Sequence, residues 1–398
     1  MEVGNKNIMD ADRRKMTETG LVNRGNWGRI ERCMERAEAG ERLVIGFIGG
    51  SITQGAVAST EETCYAYRVY KWWCERFPKA ECTYLNAGIG ATTSHFAVAR
   101  VEADLLSMKP DFVVVEFSVN DNDENGIDRT AFFEETYEGL LRRIYGNECE
   151  PAVVLLHNVR YNDGSTMEAA HSAIGKAYDL PCISIKKSIY PYVADGTIPN
   201  RDITPDDLHP NDIGHGLVAD VVTGFLQQVY EAYKEGNKEQ SAELLEKPFT
   251  ANTYEDAVRL QNYNSHPICK GFIADQREPK DIRDIFARGF TATQVGDFVI
   301  YEVTGSNIAV QYRKSIQKPT PIAIAILDND EEHAVILDGN FEETWGDKLY
   351  LETLMHHGKP GEHRLEVRII TATEQDKVPF YLTSVIVAGT EANKTKND

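Results

Sequence analysis

The sequence predicts a three-layer, doubly wound α/β domain with a five-stranded parallel sheet, followed by a C-terminal antiparallel β-sandwich. Three observations predict it. Short β-branched runs alternate with helix-period segments through the first part of the chain. Those runs are almost continuously apolar, as strands buried on both faces of a parallel sheet must be. From about Phe249 the helical period fades, and short alternating runs separated by Gly, Asp and Pro take over, the pattern of antiparallel sheets packed face to face.

The strands read, in order, as Leu43–Ile48 "LVIGFI", Cys82–Asn86 "CTYLN", Phe112–Phe117 "FVVVEF", Ala152–His157 "AVVLLH" and Cys182–Ile185 "CISI". Helix-period segments lie between and after them: Cys64–Phe77, stopped by Pro78, then Thr130–Gly146, Thr166–Tyr178 and the long Asn211–Tyr233. Residues 1–235 are thus expected as one domain, with 1–25 as an N-terminal extension. The charged stretch 236–250 reads as an exposed helix or linker, and 251–398 as the sandwich, with runs such as "DFVIYEVT", "NIAVQYRK" and "PFYLTSVIVAG". A length of 398 residues suits two domains.

Composition narrows the function classes. A formal net charge of −20 opposes binding to nucleic acid or to anionic membranes and favours a neutral substrate. No run approaches the ~18 apolar residues of a membrane span. The first twenty residues are polar, without the apolar stretch of a secretory leader, so a cytoplasmic location is expected. The seven cysteines are odd in number and lack CxxC spacing, which reads as reduced thiols.

Four segments could carry chemistry, and all fall at the carboxyl edge of the predicted sheet, where ligands of such sheets gather. Ser51 follows the first strand directly in "LVIGFIGGSITQG", behind Gly49 and Gly50. It is either a glycine-rich strand–helix turn or an exposed nucleophile; the nucleotide-binding spacings GxGxxG and GxxxxGK[ST] are both absent. The second edge is "LNAGIGATTS", where glycines free a main-chain N–H. The third, "FSVNDND", sets Asn120 at the rim, as a turn former or as an amide donor to a developing oxyanion. The fourth, "TPDDLHPND", places Asp206 three residues before His209, close enough for the carboxylate to fix the imidazole tautomer. Asp206 as a helix cap beside a surface histidine is the plain alternative. A metal reading would need His215, whose position within the following helix suits a ligand pair poorly.

In order and context the four segments resemble the SGNH, or GDSL-type, hydrolase superfamily, over roughly Leu43 to Tyr233. By that resemblance Ser51 is the nucleophile, Asp206 and His209 complete a triad, and the oxyanion is held by the Ser51 N–H, Asn120 and a second-block N–H. The block's expected glycine falls at Gly90 or Ala91, according to alignment. The family's Gly-Asp-Ser reads Gly49-Gly50-Ser51, and its Gly-x-Asn-Asp reads Ser118-Val119-Asn120-Asp121. The reaction implied is two-step acyl transfer, with no metal and no organic cofactor.

Joined to a β-sandwich, the catalytic domain further resembles carbohydrate O-acetylesterases of mannan or xylan type, which implies an acetylated neutral oligosaccharide as substrate. Within the sandwich, Trp345 lies in a polar, glycine-containing stretch and could stack on a sugar ring. Trp72 and Trp73 read as core or interface residues. His356 and His357 are adjacent, so on a strand they face opposite ways and make no metal site. A lysophospholipase or thioesterase of the same superfamily, or a glycan-binding protein on a hydrolase scaffold that has lost turnover, are the rival readings.

Overall fold

The computed structural model describes residues 10–122 and 127–390. Residues 1–9 of the N-terminal extension, 391–398 of the expected sandwich and Asp123 of "FSVNDND" lie outside that set. The chain forms two compact units, with the boundary along the sequence between Asn252 and Thr253.

In the first unit the strands are β1 (Leu21–Asn23), β2 (Arg42–Gly49), β3 (Glu81–Gly88), β4 (Phe112–Glu116), β5 (Ala152–His157) and β6 (Cys182–Ser184). The helices before the fourth strand are α1 (Asp10–Gly20), α2 (Gly28–Glu38), α3 (Ser51–Gln54), α4 (Tyr65–Arg76) and α5 (Ser94–Asp104). After it come α6 (Thr130–Tyr145), α7 (Glu168–Ala177), α8 (Ile185–Ser188), α9 (Tyr190–Ala194), α10 (Asn200–Ile203) and α11 (Asp212–Lys234). The sheet order is β1-β6-β5-β4-β2-β3, with β2 to β6 mutually parallel.

The sheet therefore has six strands rather than the five expected. The extra one comes from the N-terminal extension: β1 pairs antiparallel with β6. A three-residue strand preceded by a charged helix carries too short an apolar pattern to be legible. Among the parallel strands the first to appear lies between the second and the third, so the chain leaves β2 and β4 in opposite senses across the sheet. The crevice at that reversal is where such sheets place ligands. β4 and β5 are buried at every residue. Trp73 is fully buried, 5.5 Å from Phe77 and 5.3 Å from Phe112 between ring centres, while Trp72 packs partly buried at the rim of the same core.

Residues 236–250, expected as a linker, are neither a helix nor free. They run as an extended strap hydrogen-bonded along the first unit. Glu239 accepts from the Trp27 N–H at 2.9 Å and donates its own N–H to Glu31 at 2.8 Å. Tyr145 donates to the Ala242 carbonyl at 2.7 Å, Arg142 to that of Leu245 at 2.9 Å, and Glu138 accepts the N–H of Thr250 at 2.7 Å. The charges that made the stretch look solvated are in part the acceptors that pin it. Among the described residues no helix is long and apolar enough to cross a membrane.

The second unit carries β7 (Val258–Leu260), β8 (Ile268–Lys270), β9 (Ile273–Ala274), β10 (Phe290–Ala292), β11 (Phe298–Gly305) and β12 (Asn307–Lys314). They are followed by β13 (Ile322–Leu327), β14 (Val335–Asp338), β15 (Lys348–Met355), β16 (Gly361–Thr371) and β17 (Phe380–Ala388). One antiparallel sheet runs β15-β12-β17-β10-β9, with β7 also on β17; the other runs β14-β13-β16-β11-β8. Alternation in β16 buries His363, Leu365, Val367 and Ile369, and Val299, Tyr312, Phe380 and Leu382 complete the core between the sheets.

Candidate active site

β2 ends at Gly49 and α3 begins at Ser51, so a single residue, Gly50, turns strand into helix. A side chain on Gly50 would sit 2.2 Å from Asn120 Oδ1, so no other residue fits without displacing that amide. A side chain on Gly88, at the end of β3, would meet the Gln54 N at 2.3 Å, and its absence lets α3 rest on the strand end. The turn holds Ser51 at the rim of the sheet, half-buried.

The segment "TPDDLHPND" comes back to it. Its base is the N-cap of α11: Asn211 Oδ1 accepts from the N–H groups of Ile213 and Gly214 at 3.0 and 3.1 Å, and Asn211 donates to the Asp202 carbonyl at 2.9 Å. From there the loop is tied down through Asp207, whose carbonyl accepts from Tyr161 N–H at 2.7 Å and whose carboxylate pairs with Arg201 at 2.8 Å. His209 Nε2 lies 2.8 Å from Ser51 Oγ. Its Nδ1 lies 2.6 Å from Asp206 Oδ2. One tautomer satisfies both contacts: Nδ1–H donates to the carboxylate, and Nε2 faces the hydroxyl. Asp206 Oδ1 also accepts the backbone N–H of His209 at 2.8 Å and of Leu208 at 3.1 Å. Partial burial pushes the Asp206 carboxyl up, but these hydrogen bonds and the imidazole outweigh it and hold the group below the ordinary carboxylate range. The arrangement can lift a proton from Ser51 and return it.

Asn120 sits beside Ser51 across Gly50. Its Oδ1 is buried without a partner, and its Nδ2 has no hydrogen bond among the described residues. Ser118, the hydroxyl neighbour in the same block, donates to the Asn158 carbonyl at 2.9 Å and so anchors the turn. In the second block the two alternatives separate. The Gly90 N–H donates to Gln54 Oε1 at 2.6 Å and is occupied. Ala91 has φ of 56°, the left-handed region that favours glycine, and its N–H makes no hydrogen bond among the described residues.

Sequence reasoning missed several supporting residues. Asp121 is fully buried and accepts the Ser94 N–H at 2.9 Å, tying the third block to the second. Gln54, whose Oε1 holds the Gly90 N–H, had no role assigned from the sequence. His215 is a buried clasp, taking the Tyr65 N–H on Nδ1 at 3.3 Å with Nε2 3.2 Å from the Ala56 carbonyl. Burial pushes its pKa down to about 4, which suits a neutral ring.

In the second unit Trp345 is 59% exposed on the loop between β14 and β15, edge-on to Phe341 with ring centres 5.1 Å apart. The expectation that His356 and His357 face opposite ways fails. The strand stops at Met355, His357 takes φ of 52°, and the two rings lie 4.2 Å apart.

The sequence profile of the GDSL-like lipase/acylhydrolase family matches residues 47–217. A two-domain esterase (CEX) active on acetylated mannans, co-crystallised with mannopentaose, is 51% identical, with a TM-score of 0.88 over 94% of this chain and 98% of that one. A second crystal structure of a two-domain esterase (CEX) active on acetylated mannans gives 52% identity and a TM-score of 0.89 over the same shares. Thioesterase 1/protease 1/lysophospholipase L1 of Escherichia coli (strain K12) is 24% identical over 197 residues, 48% of this chain and 86% of its own length. Half the residues shared along nearly the whole of a two-domain esterase, and a family profile that takes in both Ser51 and His209, make this chain a member of the GDSL-like lipase/acylhydrolase family and a carboxylic ester hydrolase.

Proposed function

We propose that the protein removes O-acetyl groups from acetylated neutral oligosaccharides of mannan type through an acyl-enzyme on Ser51. The observation that carries the reading is the relay of 2.8 Å from Ser51 Oγ to His209 Nε2 and 2.6 Å from Nδ1 to Asp206. His209 takes the hydroxyl proton as Oγ attacks the acetyl carbonyl, then gives it to the departing sugar hydroxyl. Water, deprotonated by the same nitrogen, attacks the acetyl-serine and releases acetate. In this reading the Ser51 N–H, the Asn120 Nδ2 and the N–H of Ala91, which makes no hydrogen bond among the described residues, stabilise the tetrahedral oxyanion. Gly90, whose N–H is held by Gln54, is not one of the donors in this reading.

The mannan preference is supported by the similarity to the two-domain esterase active on acetylated mannans. Trp345, exposed in the second unit, supplies a flat apolar face for a sugar ring. The test is acetate release from acetylated manno- and xylo-oligosaccharides, with 4-nitrophenyl acetate and octanoate as simple esters. Fast release from the mannan series that vanishes in Ser51→Ala is the expected result. A rate optimum at eight carbons or more on the simple esters overturns the acetyl assignment in favour of a lysophospholipase-like activity, and an active Ser51→Ala overturns the nucleophile.

A further inference from the structure

Glu116 is the last residue of β4, a strand otherwise made of Phe and Val, and it is fully buried. Among the described residues it has no ion-pair partner. Its Oε2 accepts from Thr53 Oγ1 at 3.3 Å, and Thr53 Oγ1 is in turn 2.8 Å from the Tyr65 hydroxyl; both of these residues are also fully buried. The Gly50 N–H and the Asn158 side chain sit close enough to favour its charged form, short of full hydrogen-bond geometry at Oε1, which is left without a partner. Asp121 acts in the opposite sense, and burial outweighs the rest, pushing the carboxyl up to about 7.

A buried carboxyl without a cation is expensive, and a leucine there would extend the apolar strand. The position of this one is informative. One neighbour is Gly50, the residue that turns β2 into Ser51. Another is Thr53, two residues along the helix that Ser51 begins. Four residues on along its own chain is Asn120, whose amide lies against Gly50. The side chain thus reaches the turn carrying the hydroxyl from beneath, while its own strand runs on into the turn carrying the amide.

We infer that Glu116 is a positioning residue: its carboxyl, hydrogen-bonded to Thr53 and facing the Gly50 N–H, fixes Ser51 and Asn120 in register for attack. It touches no substrate and acts through the two turns. The inference rests on the esterase reading of Ser51. It accounts for the retention of a polar group at a place where apolar substitution would favour folding.

The experiment compares Glu116→Leu and Glu116→Gln with the parent and with Ser51→Ala, on 4-nitrophenyl acetate. It reads kcat and KM separately, the rate at which a fluorophosphonate labels Ser51, and the melting temperature. In the leucine variant kcat and the labelling rate fall together by ~10–100-fold, the scale of a small misplacement of a reacting group, with KM within about threefold. Its melting temperature stays equal or rises, which a merely structural role does not produce. Glutamine, which can still accept from Gly50 and meet Thr53, restores kcat to within about fivefold. A folded leucine variant with kcat within twofold of the parent overturns the inference, as does a fall in kcat matched by the unfolded fraction. Where the leucine variant does not fold, Thr53→Val reads the same link: a fall of ~5–10-fold in kcat upholds the inference, and kcat within twofold overturns it. An active Ser51→Ala strikes the esterase reading itself, a result distinct from every outcome at Glu116.

Discussion

Replacing Asp206 by Asn changes one atom, and the structure says which proton that atom misplaces. Asp206 Oδ2 accepts from His209 Nδ1 at 2.6 Å, while Oδ1 holds two backbone N–H groups at 2.8 and 3.1 Å. In Asp206→Asn the amide oxygen keeps the two backbone bonds, which leaves NH2 facing Nδ1. An NH2 donates, so the imidazole is driven to the tautomer with Nδ1 bare and Nε2 protonated. That proton then points at Ser51 Oγ, 2.8 Å away, and the base is gone. In the Ser-His-Asp template the same exchange lowers kcat by ~10⁴, about 5 kcal/mol of barrier, and a loss of ~10³–10⁴ is expected here. Asp206→Ala differs in a telling way. The Asp206 side chain is 46% exposed, so water can enter and accept from Nδ1–H. Alanine leaves the correct tautomer available, so it is expected to lose less, ~10²–10³. The assay is kcat/KM on 4-nitrophenyl acetate, with melting curves to establish that both variants fold; a half-exposed carboxylate contributes little to stability. Asn and Ala variants of equal activity, or an Asn variant within tenfold of the parent, would refute the tautomer argument.

Asn120→Ala removes one of the proposed oxyanion donors and is expected to lower kcat by ~10²–10³ with little change in KM, read on the same ester. Ala91→Gly relieves a left-handed alanine, raising stability by about 1 kcal/mol in urea unfolding with kcat retained; a loss of stability would show that the alanine methyl packs usefully. Gly50→Ala drives a methyl to within 2.2 Å of Asn120 Oδ1, so kcat falls by ~10²-fold or more through displacement of that amide, and an active variant would place the amide elsewhere in solution. For Glu116, burial lifts the folded carboxyl from 4.5 to about 7. The unfolded chain loses the proton first, so this group's contribution falls as pH rises from about 4.5 to about 7 and stays low above, by ~3 kcal/mol. Glu116→Leu should therefore gain stability over the parent more at pH 8 than at pH 5 in urea titrations; a gap independent of pH contradicts the burial.

The parts of this fold that were legible in the sequence are those with a period or an edge. The inner parallel strands stood out because burial on both faces leaves runs such as "FVVVEF" and "AVVLLH" nearly free of polar residues, whereas β3, at the sheet edge, is mostly half-buried and showed through its β-branched and aromatic residues. The site segments stood out because each follows a strand or precedes a long helix. What stayed hidden depends on contacts between distant residues. β1 takes its identity from pairing with β6, and nothing in "LVN" announces a partner some 160 positions away. The strap from 236 to 250 looks solvated until Glu31, Asn26, Arg142 and Glu138 are seen to hold it. Gln54 over Gly90, which separates the two second-block alternatives, is a side-chain contact with no local signature. Glu116 did leave a trace: one acid at the end of an apolar run read as buried on both faces is a group that needs a reason.

The departure from Gly-Asp-Ser to Gly49-Gly50-Ser51 gains a physical meaning from the same contacts. Read as a missing acid, it suggests a weakened site. In the structure the volume beside Gly50 is already filled, because Asn120 Oδ1 lies 2.2 Å from where a Cβ would be. A longer side chain at position 50 and this placement of Asn120 exclude each other. The acid that does lie beneath the turn is Glu116, reached through Thr53 from the neighbouring strand rather than from the turn itself. Glycine at 50 therefore goes together with the inward seat of Asn120, and the carboxyl beneath the turn is supplied from β4 instead of from the turn itself.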